Sequence, residues 1–188
     1  RVLIAAECIG DAYWFIDRAR SYANDRIVFD RPIGKNQGIQ FPIADSYIET
    51  EAANLMRFKA CELFDSHQAC GPEANMAKYL AAKASWEAAN VCLQTHGGFG
   101  FANEYDVERK FRETRLYQVA PISTNLIYSY IAEHVLGLPR SFCLEMFSPM
   151  WIGKLVAAKP KAPAMGTPTT AAPGANAPAA TPPAMGAP

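Results

Sequence analysis

Three long stretches of this chain carry apolar residues at three- and four-residue steps, and only short breaks separate them. That spacing is the signature of helices that bury one face. Short connections between long helices force neighbours to run antiparallel, so the pattern alone directs the chain to a bundle. The first stretch spans residues 1 to about 29, with Val2, Ala5, Ile9, Ala12, Ile16 and Ala19 on one stripe and Tyr13, Trp14, Phe15 and Tyr22 widening it. The second runs from about Asn36 to Ser66 through Ile39, Ile43, Tyr47, Ala52, Leu55 and Leu63. Pro42 falls inside it and predicts a late start or a bend. The third runs from Pro72 to about Thr95 on Met76, Leu80, Ala84, Ala88 and Val91, and its many alanines permit close helix–helix approach. A short charged helix over 103–115 and a last helix from about Asn125 to Leu136, capped by Ser123-Thr124-Asn125, complete the pattern. The expected fold is all-α: an up-and-down four-helix bundle plus a short helix over residues 1–150. From about Lys154 the chain turns to Ala, Pro, Gly and Thr, which cannot bury enough apolar surface to order themselves, so 151–188 reads as a disordered tail.

Composition narrows the function. The 188 residues carry no net charge, which removes the basic footprint of a nucleic-acid binder. The five cysteines, Cys8, Cys61, Cys70, Cys92 and Cys143, are odd in number and widely spaced, as expected of reduced thiols in a reducing compartment. His67, His96 and His134 lack a second ligand at metal spacing, so no metal site is expected. No apolar run reaches transmembrane length. The chain opens at Arg1 directly into helical pattern, without a cap or a basic leader, and is expected to be the C-terminal piece of a larger protein.

Two breaks carry chemistry. The stretch Gln94-Thr95-His96-Gly97-Gly98-Phe99-Gly100-Phe101 ends a long helix on three glycines, where bare backbone amides can lie against a flat polar ligand; an ordinary glycine helix stop is the alternative. The loop Asp25 to Gly34 sets Arg26 and Arg31 on either side of Phe29. A guanidinium beside an aromatic suits a phosphate or a ring system; the alternative is a solvated connector whose Phe29 plugs the core.

Three separated motifs then align with one family. Arg26-x-x-Phe29-x-x-Pro32-Ile33 with Gln37, Gln94-x-x-Gly97-Gly98-x-Gly100, and Arg112-Glu113-x-Arg115 leading into Leu116-Tyr117-Gln118 resemble, in this order, the C-terminal helical domain of the flavin-dependent acyl-CoA dehydrogenases. The resemblance covers residues 1 to about 143. It implies that Arg26, Val28, Phe29, Asn36 and Gln37 contact the FAD of a neighbouring subunit. Gln94, Thr95, His96, Gly97 and Gly98 would lie against the adenosine and pyrophosphate portion across a dimer interface, and Ser123, Thr124 and Asn125 would also meet FAD. Arg1 matches an arginine near the acyl-CoA site. The implied partners are an acyl-CoA substrate, an electron-transfer flavoprotein and further copies of the chain in a homodimer or homotetramer. The implied location is cytoplasmic, or the mitochondrial matrix.

The chain departs from the family at the reacting centre. The family's base, a glutamate, matches Pro121, which cannot take a proton. Some members carry that glutamate instead at the position just before Arg1. Glu7 lies about two turns further on, on the order of 10 Å along the axis, and suits lining a pocket better than reaching the substrate proton. Asp30 replaces the glycine usual after Phe29. The catalytic residue is thus unknown from this chain, and the chain alone is expected to be inactive. Two other readings stand beside the dehydrogenase: an acyl-CoA oxidase-like relative that lacks the glutamate, and a non-catalytic helical assembly domain.

Overall fold

The computed structural model describes residues 1–141. The expected tail over 151–188, and Cys143, lie outside the described residues. Among those described, the chain forms the predicted all-α bundle: α1 (Val2–Asp25), α2 (Gln37–Asp65), α3 (Gly71–His96), α4 (Val107–Thr114) and α5 (Thr124–Tyr130), the last continued by one π turn over Ile131–Val135.

α3 is the axis of the structure. Its N-terminal half packs Ala77, Ala81, Ala82 and Ala84 against Ala5, Cys8 and Ile9 of α1 and Ala53 of α2. Its C-terminal half packs Ala88, Ala89 and Cys92 against Ala12, Phe15 and Ala19 of α1 and Val107 of α4. The pairing in order makes α1 parallel to α3. α2 runs antiparallel to both, with Ala53 in the first of these halves and Ile43 against the second, and the Tyr13 hydroxyl of α1 donates to its Glu51 Oε1 at 2.5 Å. The chain from α4 to α5 then runs back down α3, with Thr114 bonded to Ser85, Gln118 to Ala82 and Ile122 to Lys78. The order is up, down, up, down, as the connection lengths predict.

The fully buried residues of α3 are small or polar. Met76, Leu80 and Val91 of the expected stripe are only half-buried, whereas Asn75, Lys78 and Ser85 are buried completely. Alanines bring the helices too close for larger side chains, and Lys78 and Ser85 are satisfied by hydrogen bonds, whereas the buried Asn75 Oδ1 has no partner among the described residues. Asn75 donates to Gly71 O at 2.9 Å.

Several boundaries differ from expectation. α1 stops at Asp25, not near 29, because Ile27–Val28 pairs with Arg31–Pro32 in a two-stranded antiparallel hairpin, β1 and β2. α2 starts ahead of Pro42, which sits in its second turn and leaves the Gly38 carbonyl without a helical N–H partner. The predicted charged helix divides into a 3-10 turn at Asn103–Tyr105, α4, and a second 3-10 turn at Arg115–Gln118. The fourth run is accordingly shorter than its three predecessors. Ser123 occupies the cap position of α5, but through its backbone carbonyl only, which accepts from Leu126 N at 3.1 Å and Ile127 N at 3.3 Å.

Candidate functional site

The hairpin and the glycine turn meet at one end of the bundle. His96, the last residue of α3, is buried and its ring stacks on Tyr22 of α1 at 4.2 Å between centroids. Tyr105 closes both rings edge-on, at 5.8 Å from Tyr22 and 5.5 Å from His96. The His96 Nδ1 lies 2.8 Å from Cys92 O. A carbonyl can only accept, so Nδ1 carries the proton and Nε2 of the neutral ring is an acceptor. Burial holds the His96 pKa below its ordinary value.

The chain turns at Gly97, with φ 58° and ψ −132°, a conformation that a residue with a Cβ scarcely reaches. At Gly100 the reason for glycine is crowding: a Cβ there would stand 2.9 Å from Leu93 Cδ1 and 3.0 Å from Leu93 O. Gly98 has neither reason. Its φ is not positive, and a Cβ would meet nothing within 4 Å. Nothing among the described residues demands glycine at 98, and the bare backbone there is open to a group approaching from outside.

Across from the glycines stands the hairpin. Its tip, Phe29 and Asp30, has φ of 51° and 60°. A left-handed phenylalanine is strained, and this one is 92% exposed. It does not plug the core, so the connector alternative fails on that point. The Asp30 substitution leaves the turn intact, since aspartate is among the residues that tolerate this region. The Arg26 guanidinium lies 5.6 Å from the Phe99 ring centroid and has no ion pair among the described residues. Arg31 is otherwise engaged: its Nη2 donates to Asn36 Oδ1 at 3.1 Å, and Asn36 Nδ2 donates to Ile33 O at 3.0 Å.

These groups enclose a cleft of about 470 Å³ lined by Tyr22, Arg26, Val28, Ile33 and the run Thr95 to Phe99. A second cleft of about 630 Å³ opens on the other side of the glycine turn, between Gln94 and the Gly38–Pro42 start of α2. The structure therefore brings Arg26, Val28, Thr95, His96, Gly97 and Gly98 together. Phe29 projects beside them, Asn36 braces the hairpin, Gln94 lines the second cleft, and the exposed Gln37 lines neither.

The remaining candidates lie elsewhere. Ser123 and Asn125 follow Ile122, whose carbonyl binds Lys78. Lys78 is roughly 28 Å from Gly97 along α3, at 1.5 Å per residue. Arg1 is exposed and lines a separate apolar cleft of about 590 Å³ with Val2, Leu3, Phe64 and Ala74. Glu7 and Pro121 are exposed at this same end, where Tyr117 packs on the core beside Ile4. Glu113 pairs with Arg109, as its position in a charged helix implies. No group of three metal-ligating side chains exists among the described residues.

The arrangement fits the anionic and aromatic end of a dinucleotide: a free guanidinium, aromatic faces and bare backbone meet in one open cleft. The opposite end of the bundle holds the remaining predicted contacts, too far away to share that end of the ligand within one chain.

Comparison with known proteins establishes the family of the fold. The family described as "Acyl-CoA dehydrogenase, C-terminal domain" matches residues 1–136. The chain is 40% identical over 144 residues to acyl-CoA dehydrogenase FadE12 of Mycobacterium tuberculosis strain H37Rv, covering 76% of this chain and 37% of that protein. It superimposes with a TM-score of 0.70 on a glutaryl-coenzyme A dehydrogenase in complex with glutaryl-CoA, at 34% identity over 75% of this chain and 36% of that one. The same TM-score, 0.70, relates it to a structure described as an electron transferring flavoprotein of Acidaminococcus fermentans, at 28% identity over 72% of this chain and 36% of that one. The chain spans little more than a third of the length of these proteins.

Proposed function

Because the chain belongs to the acyl-CoA dehydrogenase family through its C-terminal helical domain, we propose that it is the C-terminal part of a flavoenzyme that oxidises an acyl-CoA to the 2,3-enoyl-CoA. The observation that carries this reading is Gly98, a glycine that no contact or dihedral within the chain requires, set opposite the unpaired Arg26.

In this reading Arg26 offsets the pyrophosphate charge of an FAD held mainly by a second copy of the chain. Val28, Phe29 and the backbone of Gly97 and Gly98 flank its adenosine portion, with Gln94, Asn36 and Gln37 at the rim. His96 presents Nε2 as an acceptor for a hydroxyl or amine. Bound FAD supplies the hydride acceptor. Ser123, Thr124 and Asn125 serve a second FAD from the other end of α3. The roughly 28 Å between the two ends favours a composite site shared between copies. Exposed apolar residues on α2, Phe41, Ile48 and Leu55, recur at seven-residue steps and offer a face for assembly.

No base is identified among the described side chains of the reacting end. Pro121 offers no acceptor for a proton, and Glu7 is exposed on α1. A glutamate encoded just before Arg1 would extend α1 by one residue and stand at the same bundle end as Tyr117 and Ile122. Arg1 would then face the acyl-CoA. Reduced cofactor would be reoxidised by an electron-transfer flavoprotein. We assign the enzyme to the cytoplasm or the mitochondrial matrix.

The test is to purify the protein with its upstream residues. Flavin absorbance and dye-linked formation of enoyl-CoA are the expected result. A colourless protein with intact helices would overturn the reading in favour of an assembly domain, and hydrogen peroxide as the product in place of dye reduction would favour the oxidase.

A further inference from the structure

Lys78 is no part of the motifs in the sequence, yet it is the least expected group in the core. Its side chain is fully buried on α3, and no carboxylate lies within ion-pair distance among the described residues. Its two partners are backbone carbonyls: Nζ donates to Tyr117 O at 2.6 Å and to Ile122 O at 2.9 Å. Burial lowers its pKa, against an opposing effect from Cys8.

A buried cation is costly, and an apolar residue of similar volume would avoid that cost. Packing therefore does not account for a lysine here. Its geometry does. The two carbonyls flank residues 118–121, so one ammonium fastens both ends of that segment to α3. Gln118 adds a third tie one helical turn along, Nε2 to Ala82 O at 2.7 Å. The fastened segment contains Pro121, and it delivers the chain to Ser123, Thr124 and Asn125.

We propose that Lys78 is a positioning residue, which pins residues 117–122 to α3 and so sets the placement of Ser123 to Asn125 against the cofactor. The proposal rests on the reading that this stretch meets FAD.

Lys78→Met removes the charge at similar volume, and Lys78→Arg keeps it. In the 188-residue chain, loss of two charge-assisted bonds predicts at least tenfold faster amide exchange over 117–125 in Lys78→Met. Amides elsewhere in α1 and α3 stay as they were, and Lys78→Arg recovers part of the protection. Unchanged exchange in Lys78→Met, or equal acceleration along the whole chain, overturns the proposal. An NMR measurement on the unsubstituted chain does not depend on how the variants fold. The Lys78 ammonium is expected to show couplings across its hydrogen bonds to the carbonyl carbons of Tyr117 and Ile122, and their absence also overturns it. In the protein with its upstream residues, Lys78→Met is expected to weaken FAD binding at least tenfold. A colourless unsubstituted protein would defeat the proposed function and leave the tether to the exchange data. Unchanged affinity in Lys78→Met would defeat the positioning role alone.

Discussion

Gly34→Ala is the sharpest test of how the hairpin is seated. Gly34 follows β2 and lies against the end of α1. A Cβ there would stand 2.9 Å from Ala23 O, 3.3 Å from Ala23 C and 3.4 Å from Ala23 Cβ. None of these atoms can rotate away, so the hairpin must shift off α1. Overpacking of this kind costs about 1–3 kcal/mol. The loss of backbone freedom in the unfolded chain offsets about 0.4–1 kcal/mol. Taking the middle of each range, the net is a destabilisation of about 1.3 kcal/mol. A domain of this size loses roughly 3–4 °C in Tm per kcal/mol, so a fall of about 4–5 °C is expected in a thermal melt followed by circular dichroism. Strain can also be relieved by detaching the hairpin alone. Exchange of the Ile33 amide, which donates to Arg26 O at 3.0 Å, reads that route. Gly10→Ala is the matched control: Gly10 lies exposed within α1 with nothing within 4 Å of a Cβ. The same substitution there should raise stability by about 0.5–1 kcal/mol. The reasoning is refuted if Gly34→Ala matches wild type in both Tm and Ile33 exchange, or if Gly10→Ala lowers Tm as far.

Three other outcomes follow from the same contacts. Phe29→Gly removes a left-handed phenylalanine and should stabilise the chain by about 1 kcal/mol in urea unfolding, while weakening FAD retention in the whole protein. Ser85→Ala leaves the buried Thr114 hydroxyl without its partner and should cost about 1–3 kcal/mol; Ser85→Ala with Thr114→Val should recover part of that loss. Because burial lowers the pKa of His96, the unfolded chain binds the extra proton first. His96 thus contributes stability that is present above its ordinary pKa and is lost as the pH falls below it, so a series of urea midpoints from pH 7 to 5 should decline less steeply in His96→Gln.

The bundle was legible because three helices each show one apolar stripe, and Ser66 to Gly71 and Gly97 to Gly100 stop two of them. The end of α1 was misread, since Ile27 and Val28 continue its apolar pattern while their backbone pairs with Arg31 and Pro32. The cleft was legible in Arg26 and Gly97–Gly98 because a permanent cation and bare backbone carry their chemistry in the residue type. The bracing role of Asn36, whose amide binds Ile33 O and Arg31, was not legible, because it depends on the fold of the hairpin. Lys78 left little sign in the sequence. A lysine on a helix reads as solvated, and its partners are carbonyls 39 and 44 residues away that any residue type could provide. Its one trace is its place among Ala74, Ala77, Ala81 and Ala82, where a solvated lysine would have no water to reach.

The central claim is that the hairpin and the glycine turn together receive the adenosine end of FAD. The most direct measurement is photolabelling of the protein with its upstream residues, loaded with an FAD analogue that carries an azide on the adenine, followed by peptide mapping. Label in the peptides bearing Tyr22 to Ile33 and Gln94 to Phe99 is the predicted result. Label confined to α5, or to the upstream residues with neither of these peptides modified, would contradict it.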